Sequence, residues 1–146
     1  MYRGVIIYAP AEQVMEQLVR RLADCFDSDR FTVATCSADQ AAIPDLAGAD
    51  IFLLASLPSG GQPIHSHFTE LLRALRGITL AGKVGGAVSI DSADTVRAFR
   101  QALKDCELDL PDQNFRSFQR DDLDSTELSS WIQAFAGQLE DPARER

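Results

Sequence analysis

Residues 4–9, GVIIYA, decide the fold, because they form a continuous apolar run rich in β-branched side chains. Such a run is typical of a strand in a parallel sheet that is covered on both faces. Apolar residues then recur at helical spacing, at Val14, Met15, Leu18, Val19, Leu22 and Phe26. The pattern predicts a buried strand followed at once by a long amphipathic helix.

The alternation of strand and helix continues along the chain. Further strands are predicted at 31–36, 50–56, 83–90 and, with a weaker pattern, 114–119. A short helix fits the connection 37–48, and a longer one is expected over 65–76, with Gly77 as its C-terminal cap. Two more helices carry apolar stripes, at Val96, Phe99 and Leu103 and at Leu128, Trp131, Ile132, Phe135 and Leu139. Asp91 or Ser92 can cap the first of these, and residues 124–127 have capping-box spacing before the second.

Strands that alternate with helices through right-handed crossovers make a parallel sheet with helices on both faces. The sequence therefore predicts a three-layer α/β sandwich in which five parallel strands have the order 2-1-3-4-5. We expect one domain over residues 1–140 and a flexible tail at 141–146. Ligands of such sheets bind beyond the carboxyl ends of the strands, so the candidate site consists of the loops at 9–13, 56–65 and 89–94.

Composition and charge limit the classes of partner. The formal charge of −8 and a pI of about 4.6 disfavour nucleic acid, and a basic protein is the expected macromolecular partner. No stretch approaches the roughly 18 apolar residues of a membrane span, so a cytoplasmic protein is expected. The 3 cysteines have no C-x-x-C pairing, which predicts reduced and mostly buried thiols.

Over nearly its whole length the sequence resembles the flavodoxin family. The likeness lies in the first strand, loop and helix, in LASLPSGGQP after the third strand, in HFTELLRAL and LAGK, and in the amphipathic last helix. The resemblance implies bound flavin mononucleotide (FMN) and electron transfer, with the phosphate in the turn after strand one and the ring between the loops after strands three and four. The cofactor contacts it implies are Gln13, Pro58, Ser59, Gly60, Gly61, Ser89, Ile90 and Asp91.

The turn after strand one departs from the Ser/Thr/Gly-rich phosphate turn of that family. Pro10 has no N–H, and Glu12 places a carboxylate at the positive end of the helix dipole. Pro and Glu at these positions read as a good helix start, with Pro near the first helical position and Glu in the first turn. We therefore expect no tightly bound cofactor, although FMN remains possible.

The ring site also lacks the family's usual aromatic side chains, because residues 57–62 and 89–94 contain no Trp, Tyr or Phe. Trp131 lies in the apolar stripe of the last helix and is expected in the core. Gly85 and Gly86 lack the pattern of a phosphate loop, so they are expected to permit close packing.

No catalytic or metal site emerges from the remaining residues. His65 and His67, with Glu70, lack a third convincing ligand and are two residues apart, so they are expected to face different ways and to be solvated or capping. Ser56, Ser59 and Ser89 have no evident His and Asp relay. Two hypotheses stay open: a flavodoxin-like binding or interaction module with a lost or weakened FMN site, which is favoured, and an FMN-dependent electron-transfer protein.

Overall fold

The computed structural model describes residues 1–123 and 126–140, which form a parallel sheet with helices on both faces. The strands are β1 (Tyr2–Ala9), β2 (Phe31–Ser37), β3 (Ile51–Ser56), β4 (Val84–Ile90) and β5 (Phe115–Phe118). The α-helices are α1 (Gln13–Asp24), α2 (Ile43–Ala47), α3 (Thr69–Ala74), α4 (Ala93–Ala102) and α5 (Thr126–Gly137). Short 3-10 helices occupy Ser66–Phe68, Asp112–Asn114, Arg120–Asp122 and Gln138–Glu140.

The five strands have the order β2-β1-β3-β4-β5, and every neighbouring pair is parallel. This confirms the fold class and the strand order predicted from the alternating pattern. The predicted tail at 141–146 lies outside the described residues, as do Asp124 and Ser125 of the predicted capping box. The domain assignment of residues 1–140 stays a prediction.

Two apolar layers cover the two faces of the sheet. One joins α1 and α5 to the sheet, and the other joins α2, α3 and α4 to its opposite face. The interior strands β3 and β4 are buried at every position, which explains why their sequences do not alternate between apolar and polar residues. The sheet is therefore a rigid base for the loops at its carboxyl edge.

The adjacent glycines of β4 are required by packing. A Cβ atom on Gly85 would lie 2.7 Å from Cε1 of Phe52 and 2.9 Å from Cδ1 of Leu108. A Cβ atom on Gly86 would collide with the backbone oxygen of Asn114. These contacts agree with the close-packing role predicted for the pair.

Trp131 belongs to the core, as predicted, with 8% of its surface exposed. Its ring stacks on Phe135 at a centroid distance of 5.3 Å and meets the edge of Phe118 at 5.7 Å. The indole N–H donates to the backbone oxygen of Gln113 at 2.7 Å, which satisfies the one polar group of the side chain.

Two local predictions need correction. The predicted helix at 65–76 is shorter: a 3-10 turn, Ser66–Phe68, leads into α3, whose C-cap is Leu75 and not the predicted Gly77. Gly77, with φ of +79°, lies in the turn that follows. The thiols are free, but only Cys106 is buried. Cys25 is half-buried because it caps the C-terminus of α1, and Cys36 is half-buried because it lies on the edge strand β2.

Candidate functional site

Three loops meet at the carboxyl edge of the sheet, as the topology predicts. The N–H of Leu57 donates to the backbone oxygen of Ala9 at 3.2 Å, which joins the loop after β3 to the loop after β1. The Ser89 hydroxyl donates to the backbone oxygen of Ser56 at 2.7 Å, which ties the end of β4 to the end of β3. The ends of the three strands are therefore held together by hydrogen bonds.

The loop after β1 places a carboxylate at the entrance of α1. The helix begins at Gln13, which is exposed, and Glu12 is its N-cap, with extended φ of −112° and ψ of 159°. The prediction that Glu12 lies in the first turn is therefore wrong, and so is the placing of Pro10 near the first helical position. The Glu12 side chain makes no capping hydrogen bond to the first turn, so its charge stands at the positive end of the helix without covering the backbone donors.

The loop after β3 contains a small hairpin closed by its own backbone. Ser59 and Gln62 exchange two N–H to oxygen bonds, each of 2.9 Å. The turn between them consists of Gly60 and Gly61, with φ of +56° and +79°, which glycine adopts without steric cost. The N–H of Ser59, a residue that the resemblance implies as a cofactor contact, is therefore already used inside the hairpin.

Side chains fasten this loop at both sides. The Ser56 hydroxyl, fully buried, accepts the N–H of His65 at 2.9 Å and so joins the two ends of the loop. Thr95, buried on α4, donates its hydroxyl to the backbone oxygen of Pro63 at 2.5 Å. Ser92 caps α4 as predicted, accepting the N–H of Thr95 at 3.3 Å. The loop is therefore fastened to α4 at Pro63.

A cleft of about 790 Å³ lies between the hairpin and α4. Its walls are the loop, including both prolines, and one side of α4 from Ser92 to Gln101. The charged residues at its rim are Asp94 and Arg97, whose exposed side chains form an ion pair of 2.9 Å on the helix surface. The lining residues are Pro58, Ser59, Gly60, Gly61, Gln62, Pro63, Ser92, Asp94, Arg97, Ala98 and Gln101.

The predicted cofactor contacts fall into separate places. Pro58, Ser59, Gly60 and Gly61 line the cleft, whereas Gln13 lies on the surface at the start of α1. Ser89 and Ile90 are buried at the end of β4, with 0% and 3% of their surfaces exposed. Asp91 is exposed, has φ of +54°, and accepts the N–H of Arg120 at 3.3 Å through its carboxylate.

The α4 wall was missed by the reasoning from sequence. Arg97 and Gln101 lie one turn apart on one face of α4, and Thr95 anchors the loop from its buried side. The one signal in the sequence is a polar Thr95 beside the apolar stripe of a helix. Its partner, the backbone oxygen of Pro63, is 32 residues away and becomes adjacent only in the folded chain.

The two histidines touch, contrary to the expectation that they face different ways. Their ring centroids are 4.5 Å apart, and Nδ1 of His65 accepts the N–H of His67 at 3.2 Å. His65 precedes the helix and caps it, so helical spacing does not separate the two rings. Partial burial lowers the pKa of His65, the charge of His67 lowers it further, and Glu12 acts in the opposite direction. Within residues 1–123 and 126–140 no group of at least three His, Cys, Asp or Glu side chains could hold a metal ion.

Comparison with known proteins finds similarity of three-dimensional structure but none of sequence. No protein-family model matches the chain, and no curated protein matches it in sequence. None of the helices within the described residues has both the length and the apolar character of a membrane span.

Three of the similar solved structures cover nearly the whole chain. Flavodoxin 2 from Bacillus cereus is 18% identical, with a TM-score of 0.80 over 93% of this chain and 99% of that protein. Rubredoxin oxygen:oxidoreductase from Desulfovibrio gigas is 19% identical, with a TM-score of 0.78 over 98% of this chain and 37% of that one. A mutant flavodoxin from Fusobacterium nucleatum, bound to flavin mononucleotide, is 10% identical, with a TM-score of 0.67 over 94% of each chain. The strand order and these similarities together establish that this chain has the flavodoxin-like fold.

Proposed function

We propose that this protein is a binding or interaction module built on the flavodoxin-like fold, with a weakened FMN site. The observation that carries the proposal is the Glu12 carboxylate at the N-cap of α1. A phosphate bound at this position would need the backbone donors of the first turn and would meet a like charge there.

The other residues of the turn support the same conclusion. Pro10 contributes no N–H, and Ala9 and Ala11 contribute no hydroxyl. Charge-assisted hydrogen bonds to an anion are each worth about 1.5–3 kcal/mol, so losing two or three of them moves a tightly held cofactor into the range where it washes off. The residues present in this turn do not fit a phosphate.

The cleft beside α4 gives the module a place to bind a ligand other than a phosphate ester. It combines apolar wall atoms from prolines with a few polar groups, which is the usual composition of a ligand pocket. A flat ligand of low charge suits this lining better than a dianion, because Asp94 stands beside Arg97 at the rim.

A second candidate function is electron transfer with bound FMN. It is supported by the fold and by the Fusobacterium nucleatum neighbour, which was solved with flavin mononucleotide. The Glu12 side chain also leaves the first turn of α1 uncovered, so a ligand that displaced the carboxylate would meet backbone donors. If FMN binds, the flavin supplies the redox chemistry and the protein supplies position and electrostatics.

The acidic surface supports a basic protein as the macromolecular partner. Four exposed carboxylates lie between α4 and β5, at Asp105, Glu107, Asp109 and Asp112. We expect binding to a basic probe such as poly-lysine to weaken steeply as salt concentration rises. Binding that salt leaves unchanged would contradict this part of the proposal.

The decisive experiment is an absorbance spectrum of the purified protein, followed by titration with FMN. We expect a colourless preparation and a Kd weaker than about 1 μM, which corresponds to roughly 8 kcal/mol of binding free energy. A yellow preparation with stoichiometric FMN would overturn the proposal and favour the electron carrier.

Variants of the turn test its cause. Combining Pro10→Gly, Ala11→Ser and Glu12→Thr restores donors and removes the carboxylate, and we expect FMN affinity to rise by about 100-fold, or about 2.7 kcal/mol. Glu12→Gln removes one negative charge at the N-cap, and its matched control, Glu16→Gln, removes one negative charge a turn later. Only Glu12→Gln should strengthen FMN binding measurably, because the repulsion is local to the N-cap. Equal effects of the two neutralisations would show that net charge, not the N-cap, controls affinity.

A further inference from the structure

His65 lies where the loop after β3 closes on itself. Its N–H donates to the Ser56 hydroxyl at 2.9 Å, and its Nδ1 accepts the N–H of His67 at 3.2 Å. One residue therefore joins the two ends of the loop and also caps the 3-10 turn that leads into α3. Between these ends, the same loop forms the hairpin wall of the cleft.

The capping bond requires a neutral His65. An imidazole nitrogen accepts a hydrogen bond only while it carries no proton, so Nδ1 must be bare and any ring proton must be on Nε2. A proton on Nδ1 would convert the acceptor into a donor that faces the N–H of His67. Histidine is the side chain that undergoes this change near neutral pH.

The charged groups around His65 come from three elements. His67, on the 3-10 turn, contacts its ring and opposes a second positive charge, whereas Glu12, at the start of α1, favours the protonated form. Asp39, in the connection after β2, interacts with His67. Partial burial and His67 outweigh Glu12, and the pKa of His65 is held below its usual value.

We propose that the loop from Ser56 to His65 is a pH-sensitive wall of the cleft, held in place while His65 is neutral and released when Nδ1 takes up a proton. The proton comes from solvent, and the bond that breaks is the hydrogen bond from the His67 N–H. With the capping bond broken, the segment at residues 64–65 moves away, the bond from the His65 N–H to the Ser56 hydroxyl opens, and the hairpin is then held only by Thr95 at Pro63. Acidification therefore loosens the hairpin side of the cleft before it affects the sheet.

The direction of the pH effect follows from linkage. Because the pKa of His65 is lower in the closed state than in the open loop, the open state binds the proton more readily. The closed loop has its full stability above the ordinary histidine pKa and loses stability as pH falls through that value toward the lowered one. That this matters for ligand binding rests on the proposed function of the cleft.

Amide hydrogen exchange measured against pH tests the proposal on the intact chain. The readouts are the protection factors of Ser59, Gln62 and His65, whose N–H groups are hydrogen-bonded, with amides of β3 as the internal reference. Between about pH 7.5 and 5.5 we expect protection of the loop to fall by about fivefold or more, with β3 unchanged.

Two matched variants identify the histidine responsible. His65→Asn keeps an acceptor, Oδ1, at the position of Nδ1 but does not titrate, so its loop should stay protected at acidic pH. His67→Asn removes the other histidine and keeps the capping bond, so the loss of protection should persist. An unchanged loss in His65→Asn, its disappearance in His67→Asn, or no loss in the native chain would overturn the proposal.

Glu12→Gln provides an independent test of the electrostatics around His65, because it leaves both histidines in place. Glu12 favours protonated His65, so its neutralisation should move the loss of protection to lower pH. A shift to higher pH, or no shift, would contradict the assigned electrostatics. Exchange is measured without FMN, so a finding of tight FMN binding would reject the proposed function and leave this test unaffected. Loop protection that does not change with pH would reject only the proposal of a pH-sensitive loop.

Discussion

The loops after β1 and β3 lie side by side at one edge of the sheet but differ in how far their polar groups are hydrogen-bonded within the loop. The loop after β1 is short and exposes an unpaired cap at Glu12, whereas the loop after β3 uses Ser56, Ser59 and Gln62 to satisfy itself internally. The bond from Leu57 to Ala9 joins them. The difference teaches that two loops at one edge of the same sheet can differ in whether their polar groups are satisfied inside the loop or left open to a ligand.

The largest expected effects test whether the two loops rest on separate apolar layers. Trp131→Ala and Phe99→Ala should each destabilise by about 3–5 kcal/mol, because each truncates a buried ring. Phe99 packs edge-on against Phe68 at 5.0 Å, near the end of the loop after β3, whereas Trp131 lies in the layer of α1 and α5. Chemical denaturation gives both free energies, and hydrogen exchange should show extra loosening of the hairpin only in Phe99→Ala. Equal loosening in both variants would remove the distinction.

A smaller effect is expected from the bond that closes the loop after β3. Ser56→Ala leaves the N–H of His65 without its acceptor and should cost about 1–3 kcal/mol. Ser59→Ala is the control, because the hairpin is held by the backbone of Ser59, and its effect should stay within about 0.5 kcal/mol. Urea unfolding measures both. A neutral Ser56→Ala would mean that Thr95 alone holds the loop.

The smallest effect concerns the loop after β1 and has the opposite sign. Glu12→Ser supplies a good N-cap to a helix whose present cap makes no side-chain bond, but it also removes a carboxylate that the helix dipole favours, so stability should rise by only about 0.5 kcal/mol. Glu12→Ala removes the same carboxylate without offering a cap, so it separates the charge from the new hydrogen bond. If thermal unfolding shows the same gain for both, the benefit comes from removing the charge, and the comparison of the loops must be restated in electrostatic terms.

Much of the fold could be predicted from local patterns. Continuous apolar runs and helical stripes reflect which side chains must be buried. Sequence patterns could therefore predict the strands, the order 2-1-3-4-5, the core position of Trp131 and the close packing at Gly85 and Gly86. The location of the candidate site also followed, because parallel strands bring their carboxyl ends to one edge.

Details of the site were less accessible, because they depend on backbone geometry at the ends of elements. A shift of one residue in the start of α1 made Glu12 the N-cap rather than a first-turn residue. His65 likewise lies just outside a helix, which brings its ring against His67 instead of turning it away. Such boundaries are decided by small energy differences that sequence patterns do not resolve.

The sequence by itself determined the layers, the order of the strands and the absence of side-chain hydroxyls from residues 9–12, since these depend on residue type and period alone. Only the tertiary structure decided that Thr95 reaches Pro63, that Ser56 closes the loop at His65 and that a cleft opens toward α4. Each of these needs groups from distant parts of the chain to meet within hydrogen-bond distance. The packing of α4 and the loop after β3 against one sheet brings these groups together, and no local sequence pattern encodes that packing.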